Sequence, residues 1–344
     1  MSGRQRLEAV LRGELPDRAP ICLHNFLMAA QEAGIPLEKT LTDPVATARA
    51  HRHAVEKYDY DCVLIELDTT LLAEAMGAQR DATPGEPGHI AAPAIRSLDE
   101  VDRLRPVNPE RDGRLPVLLE TVRILAREIG DTVAIRGNAD QCAFSLAGLL
   151  RGMQEFMMDL ASEPDHPAIP RLLEVAYQSH LAVHRAVKQA GAHFTSLGDS
   201  PSGPDVVSPA MFARFARPWQ ERLVRDLAAD GIFTVIHICG NTSLILDQLA
   251  TYPFCGFELD YKTDTRRAKA TAGAQHVLFG NIDPSGVLAR GTPAQIIEAT
   301  RQLIELWKPG GRFVANAGCA IPASTPPENL RAFIATVKEY GRYT

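Results

Sequence analysis

The sequence predicts an α/β protein, a (β/α)8 TIM barrel, on three observations. Eight short apolar runs, rich in β-branched residues, are separated for the most part by helical patterns. Polar and ionisable residues gather at the carboxyl ends of those runs, where barrel enzymes build their active sites. The 344 residues suit one barrel with insertions, without internal repeat, low-complexity tract or linker.

Residues 3–13 read as a short amphipathic helix that precedes the barrel and ends before Pro16. The strands are expected at Pro20–Asn25, Cys62–Thr69, Val133–Asp140, His193–Asp199, Ile232–Cys239, Gly256–Asp260, His276–Ile282 and Arg312–Cys319. The stretch from Ala78 to Pro109, rich in Pro and Gly, is expected to be an irregular insertion after the second strand. Helix starts are marked by Ser208-Pro209, and by Thr292-Pro-Ala-Gln295 and Thr325-Pro-Pro-Glu328, which both fit a capping box. Beyond the last of these, Leu330, Phe333, Ile334 and Val337 share one helical face.

The composition, 45% hydrophobic and 23% charged, is that of a soluble globular protein. A formal net charge of −6 argues against nucleic-acid binding. The N-terminus carries no apolar signal segment, and no run is long enough to span a membrane, so a cytoplasmic location is the default expectation. Cysteines stand at 22, 62, 142, 239, 255 and 319 without clustered spacing, which favours reduced thiols. Cys22, Cys62, Cys142 and Cys255 lie in apolar surroundings and read as small core residues.

His237 and Cys239 differ. They end a buried strand at i and i+2, so both side chains project from one face, about 7 Å apart along it. Gly240 breaks the strand behind them. A histidine and a cysteine so placed are two of the three protein ligands of a catalytic zinc site, and Cys319 at the end of the eighth strand is the candidate third. Cys255 is a rival, although it precedes its strand and so belongs to the opposite end of the barrel. Glu258 is a candidate fourth ligand or, equally, a hydrogen-bonded carboxylate. Two thiolates and one imidazole leave a nearly neutral zinc with an open position, where an incoming thiol loses its proton.

The segments His237-x-Cys239, Gly280-Asn-Ile-Asp-Pro284 and Gly318-Cys-Ala-Ile-Pro322 with Ser324-Thr-Pro-x-Glu-Asn-Leu330 resemble the uroporphyrinogen decarboxylase superfamily. Within it they are most similar to the zinc-dependent corrinoid methyltransferases that act between methylcobalamin and coenzyme M. The likeness extends over nearly the whole chain, including Ser208-Pro-x-x-Phe212 and Glu74-Ala-x-Gly77. It implies a barrel with zinc on His237, Cys239 and Cys319 and methyl transfer between a corrinoid and a thiol. The decarboxylases carry an Arg-Gln-Ala-Gly-Arg segment near the first strand; here the region reads Leu-His-Asn-Phe-Leu-Met-Ala-Ala from Leu23 to Ala30, without arginine, which argues against porphyrinogen decarboxylation. The Asp-x-His-x-x-Gly motif of corrinoid proteins is missing as well, so the cobalamin is expected free or on a separate protein.

On this reading zinc binds the acceptor thiol, and the thiolate attacks the methyl group on cobalt(III). Asn138, Asp140, Asp199 and Asn281, at strand ends around the mouth, are the candidates for meeting the corrinoid. Asp68, Asp140, Asp199, Asp260 or Asp283 is expected either to accept a hydrogen bond from His237 or to bond backbone amides at a helix start, the latter role fitting Asp283 before Pro284. The alternative keeps the fold and reverses the traffic: an O- or S-demethylase passing methyl from a methoxy or methylthio compound to cob(I)alamin, with His24, Asn25, Phe26 and the 78–109 insertion choosing the substrate. A non-catalytic zinc module is disfavoured, because a structural zinc normally has a fourth protein ligand. His51 and His53 are two apart on a helix and share no face. Arg266-Arg267-Ala268-Lys269 reads as a solvated helix face, and Met157-Met158 as core.

Overall fold

The computed structural model describes residues 1–343. Its strands are β1 (Cys22–Leu23), β2 (Cys62–Ile65), β3 (Gln79–Asp81), β4 (His89–Ala92), β5 (Ala134–Gln141), β6 (Phe194–Gly198), β7 (Thr234–Ile238), β8 (Gly256–Leu259), β9 (Val277–Ile282) and β10 (Phe313–Ala317). All but β3 and β4 form one parallel sheet in the order β1-β2-β5-β6-β7-β8-β9-β10. A parallel bridge from Ile21 to Ala315, with the Ala315 amide donating to Pro20 O at 2.8 Å, brings the two ends together. The architecture is the (β/α)8 barrel, with helices between successive strands as the outer layer.

Alternation along the strands sorts the side chains. One face packs outward on the helices in a large apolar core that includes Val63, Ile135, Ile236 and Phe257. The other fills the barrel, where Cys22, Cys62, Ala134, Phe194, Val235, Val277 and Val314 form a separate buried cluster. Leu7 and Val10 of the helix Gly3–Leu11 join that cluster, so this N-terminal helix closes the bottom of the barrel. It starts at a capping box in which the Gln5 amide donates to Ser2 Oγ at 3.2 Å. Full burial of each large side chain here contributes about 1.5–3 kcal/mol. Nearby, buried Asp61 accepts from Arg18 Nη1 at 2.6 Å and from the Ile21 amide at 2.9 Å, tying the entry of β1 to that of β2.

Two expectations require correction. The stretch 78–109 is not wholly irregular: β3 and β4 pair as an antiparallel hairpin, and Leu98–Arg103 makes a 3-10 turn. Strands of three and four residues are too short to display a period. The last helix, Pro327–Tyr340, does not start at a capping box on Thr325. Its N-cap is Pro326, because two successive prolines move the start one residue on, and the Thr325 hydroxyl is buried without a partner. The Thr292 box does form, with the Gln295 amide donating to Thr292 Oγ1 at 3.4 Å, and Ser208 caps Met211 at 3.2 Å. No helix among the described residues is long and apolar enough to cross a membrane.

Candidate metal centre

Two residues beyond the apolar cluster, the same strands turn polar. His24 follows Cys22, Arg136 follows Ala134, Ser196 follows Phe194 and His237 follows Val235, and all four line a cavity of about 300 Å³ at the carboxyl end of the barrel. Cys239 and Cys319 share that wall.

His237 is the last residue but one of β7 and Cys239 lies just past its end, so their side chains meet: Nε2 lies 3.0 Å from Sγ. Cys319 arrives from the end of β10, and its sulfur stands 3.8 Å from that of Cys239. Two glycines make the approach possible. A Cβ on Gly318 would come within 2.4 Å of the Tyr261 amide nitrogen, and Gly240 adopts φ +87° against Asp205. The Ile321 amide donating to His24 O at 2.7 Å then holds the Cys319 loop against β1. His237 Nδ1 pairs with the Glu258 carbonyl at 3.0 Å, which leaves Nε2 facing the sulfurs.

The electrostatics follow from this contact. The hydrogen bond from Cys319 and the charge of His237 outweigh burial and bring the Cys239 thiol down to about 3. Burial alone would depress His237; the Cys239 thiolate raises it instead, to about 9. Cys319, donor to that thiolate and buried, is pushed far above its usual value. The trio thus carries two protons that a divalent cation would replace. One ligand atom from each residue lies within 4.8 Å of the others, and this is the one such grouping among the described residues. A tetrahedral zinc with Zn–S of about 2.3 Å separates two sulfurs by about 3.8 Å, the spacing seen here. The residues fit a three-ligand site whose open side faces the cavity.

Glu258 does not join that grouping. Its carboxylate is paired with Arg136 Nη1 and approached by His24 Nδ1 at 3.6 Å, so of the two roles open to Glu258 the structure shows the paired carboxylate and not the fourth ligand. Burial would raise its pKa, but Arg136 and His24 hold it well below the usual carboxylate range. His24 is in turn 2.9 Å from Glu66 Oε2, an approach of opposite charges without the alignment of a hydrogen bond. Burial opposes its protonation, yet Glu66 and Glu258 raise its pKa to about 10.

The remaining sequence candidates separate. Asn138 lines the cavity and accepts from Ser196 Oγ at 3.2 Å. Asp140, Asp199 and Asn281 are absent from its wall. Asp140 accepts the Leu72 amide at 2.8 Å, Asp199 the Ser145 amide at 3.0 Å, and Asn281 Nδ2 donates to Asp260 O at 3.2 Å. None of the five aspartates accepts from His237. Asp68 takes the Thr70 amide, Asp260 the Gly240 and Lys262 amides, and Asp283 the Ser285 and Gly286 amides. Each therefore holds a turn or helix start beyond its strand. Cys255 sits at the far end of β8 beside His276, remote from the other ligands in the barrel. Sequence reasoning missed Arg136, whose signal was an arginine inside an otherwise apolar strand, and Ser200, whose Oγ accepts the Cys239 amide at 3.3 Å.

The sequence profile of the family described as uroporphyrinogen decarboxylase (URO-D) matches residues 2–340. The chain is 28% identical, over 98% of both proteins, to a methylcobamide:CoM methyltransferase MtaA of Methanosarcina barkeri. It is 30% identical to a uroporphyrinogen decarboxylase of Thermus thermophilus, over 95% of this chain and 96% of that protein. A solved methyltransferase from Methanosarcina mazei superposes with a TM-score of 0.90 at 25% identity, covering 99% of each chain.

Proposed function

The chain belongs to the uroporphyrinogen decarboxylase family, and on that premise we propose that it is a zinc-dependent methyltransferase moving a methyl group between a corrinoid and a thiol. The observation that carries the reading is the convergence of His237, Cys239 and Cys319 within 4.8 Å on the wall of a small cavity. Relatives named as methylcobamide:CoM methyltransferases support it at 98% coverage.

Zinc held by His237 Nε2 and the two cysteine sulfurs would bind the acceptor thiol, lower its pKa and orient the sulfur. The chain's own residues set up the rest. The Glu258 carbonyl fixes the His237 ring, and Ser200 steadies the Cys239 backbone. Leu64, Leu197 and Phe26 give the cavity its apolar wall. The thiol proton leaves to solvent. The sulfur electron pair then attacks the methyl carbon, and the cobalt–carbon pair stays on the metal, so cobalt(III) becomes cobalt(I) and a methyl thioether forms. At about 300 Å³ the cavity is at the small end of the roughly 300–1,000 Å³ of small-molecule sites, so it suits a small thiol. The corrin has to present its methyl group at the mouth, which suits a free corrinoid or one carried by a separate protein. A porphyrinogen is likewise too large for this cavity.

The test is anaerobic mixing of zinc-loaded protein with methylcob(III)alamin and a small thiol. Loss of the methylcobalamin band with growth of cob(I)alamin, abolished in Cys319→Ser, is the expected result. A zinc-loaded protein that leaves methylcobalamin intact with every thiol tried would refute the reading.

A further inference from the structure

The charges inside the cavity close on themselves. Glu66, His24, Glu258 and Arg136 form an alternating row across its floor: Glu66 Oε2 is 2.9 Å from His24 Nε2, His24 Nδ1 is 3.6 Å from Glu258 Oε1, and Glu258 Oε2 is paired with Arg136. All four line the cavity, and His24, Arg136 and Glu258 are 8%, 2% and 1% exposed. His24 and Arg136 are therefore each already matched by a carboxylate, and His237 faces the two cysteine sulfurs. The next charge outward, Asp68, is taken up by Arg80 and Arg114. Apart from His237, Cys239 and Cys319, what remains of the wall is apolar or neutral, as at Leu64, Leu197 and Asn138.

A bound thiolate brings one negative charge to this site. A tail carrying a second would be buried beside two carboxylates with no unmatched Arg, Lys or His24 charge among the described residues of the wall, and an uncompensated buried charge is among the costliest contacts in a protein. A hydroxyl or amide faces no such penalty. Both His24 nitrogens and both Glu258 oxygens lack an aligned hydrogen bond, so they retain directional capacity for a neutral polar group.

We propose that the cavity selects a small thiol with an uncharged tail, and that Glu66, by matching His24, is the residue that sets this selectivity. The inference rests on the methyl-transfer reading for the identity of the reacting group. Its test does not require turnover.

Zinc-loaded protein is titrated calorimetrically with three thiols of similar size: 2-mercaptoethanol, 2-mercaptoethanesulfonate and cysteamine. The expected order places 2-mercaptoethanol at least about tenfold tighter than the sulfonate. Glu66→Gln leaves the His24 charge unmatched and moves that ratio at least about tenfold toward the sulfonate. His24→Asn removes the cation and moves the preference toward cysteamine; it carries the test if Glu66→Gln fails to fold. The proposal is overturned if the sulfonate binds tightest to the unaltered protein, if none of the three binds, or if both variants keep zinc and leave the order unchanged. The same thiols are then run with methylcob(III)alamin. The expected binding order without turnover would leave the selectivity standing and remove the methyl-transfer reading, and turnover with the reverse order would do the opposite.

Discussion

The lower and upper halves of the barrel interior lie on the same strands, two residues apart, and have opposite chemistry. Below, Cys22, Ala134, Phe194 and Val235 pack into a dry cluster closed by Leu7 and Val10. Above, His24, Arg136, Ser196 and His237 surround a cavity. The pleat repeats every two residues, so one step along each strand takes the barrel from packing to chemistry. The lower half is held by packing, where volume counts, and the upper half by paired polar and charged groups, where identity counts.

The comparison is broken most severely at the top. Cys319→Ser is expected to lower methyl transfer by more than about 100-fold, beyond the roughly 10–100-fold range for partners outside the ligand shell, while thermal stability changes little. Steady-state kinetics beside a melting curve measures both. In the lower half Phe194→Ala is expected to do the opposite, costing about 3–5 kcal/mol of stability while zinc content per folded chain stays the same. Denaturant unfolding with metal analysis checks this. If Phe194→Ala emptied the metal site without loss of stability, the two halves would not be separable.

The buried ion pair sharpens the contrast. Arg136→Met leaves Glu258 without its strongest partner and is expected to cost about 3–5 kcal/mol, whereas joint replacement of Arg136 and Glu258 by apolar residues is expected to cost much less. A double-mutant cycle by urea unfolding distinguishes the two.

A pH dependence follows from His24. Its folded pKa, about 10, lies above the ordinary value of 6.5. Its contribution to stability is therefore fully present below about pH 6.5 and is lost as pH rises through about 10. The unfolding free energy should fall more steeply across that window in the unaltered protein than in His24→Asn; equal slopes would remove the effect. The smallest expected effect is at Asp283. Its carboxylate caps Ser285 and Gly286, so Asp283→Ala should cost about 1 kcal/mol and leave zinc binding untouched.

What was legible in the sequence depended on distance along the chain. His237 and Cys239 could be paired because a strand places i and i+2 on one face, and Cys319 because strand ends of a barrel meet at one mouth. The aspartates were ambiguous for a physical reason. A carboxylate just past a strand reads the same whether it faces a cavity, as Glu66 does, or turns back to hold amides, as Asp199 and Asp260 do. The Glu258–Arg136 pair was not legible, since it spans the barrel between β8 and β5 and depends on interior level, which sequence alone does not fix. The same holds for His237 Nδ1, whose partner is a backbone carbonyl and not a side chain.

The most direct test of the account is X-ray absorption at the zinc edge on protein purified with zinc. The account predicts one zinc per chain, with two sulfurs at about 2.3 Å and one imidazole nitrogen at about 2.0 Å, and loss of one sulfur in Cys319→Ser. A protein that retains no zinc, or a zinc bound by oxygen and nitrogen alone, would contradict it.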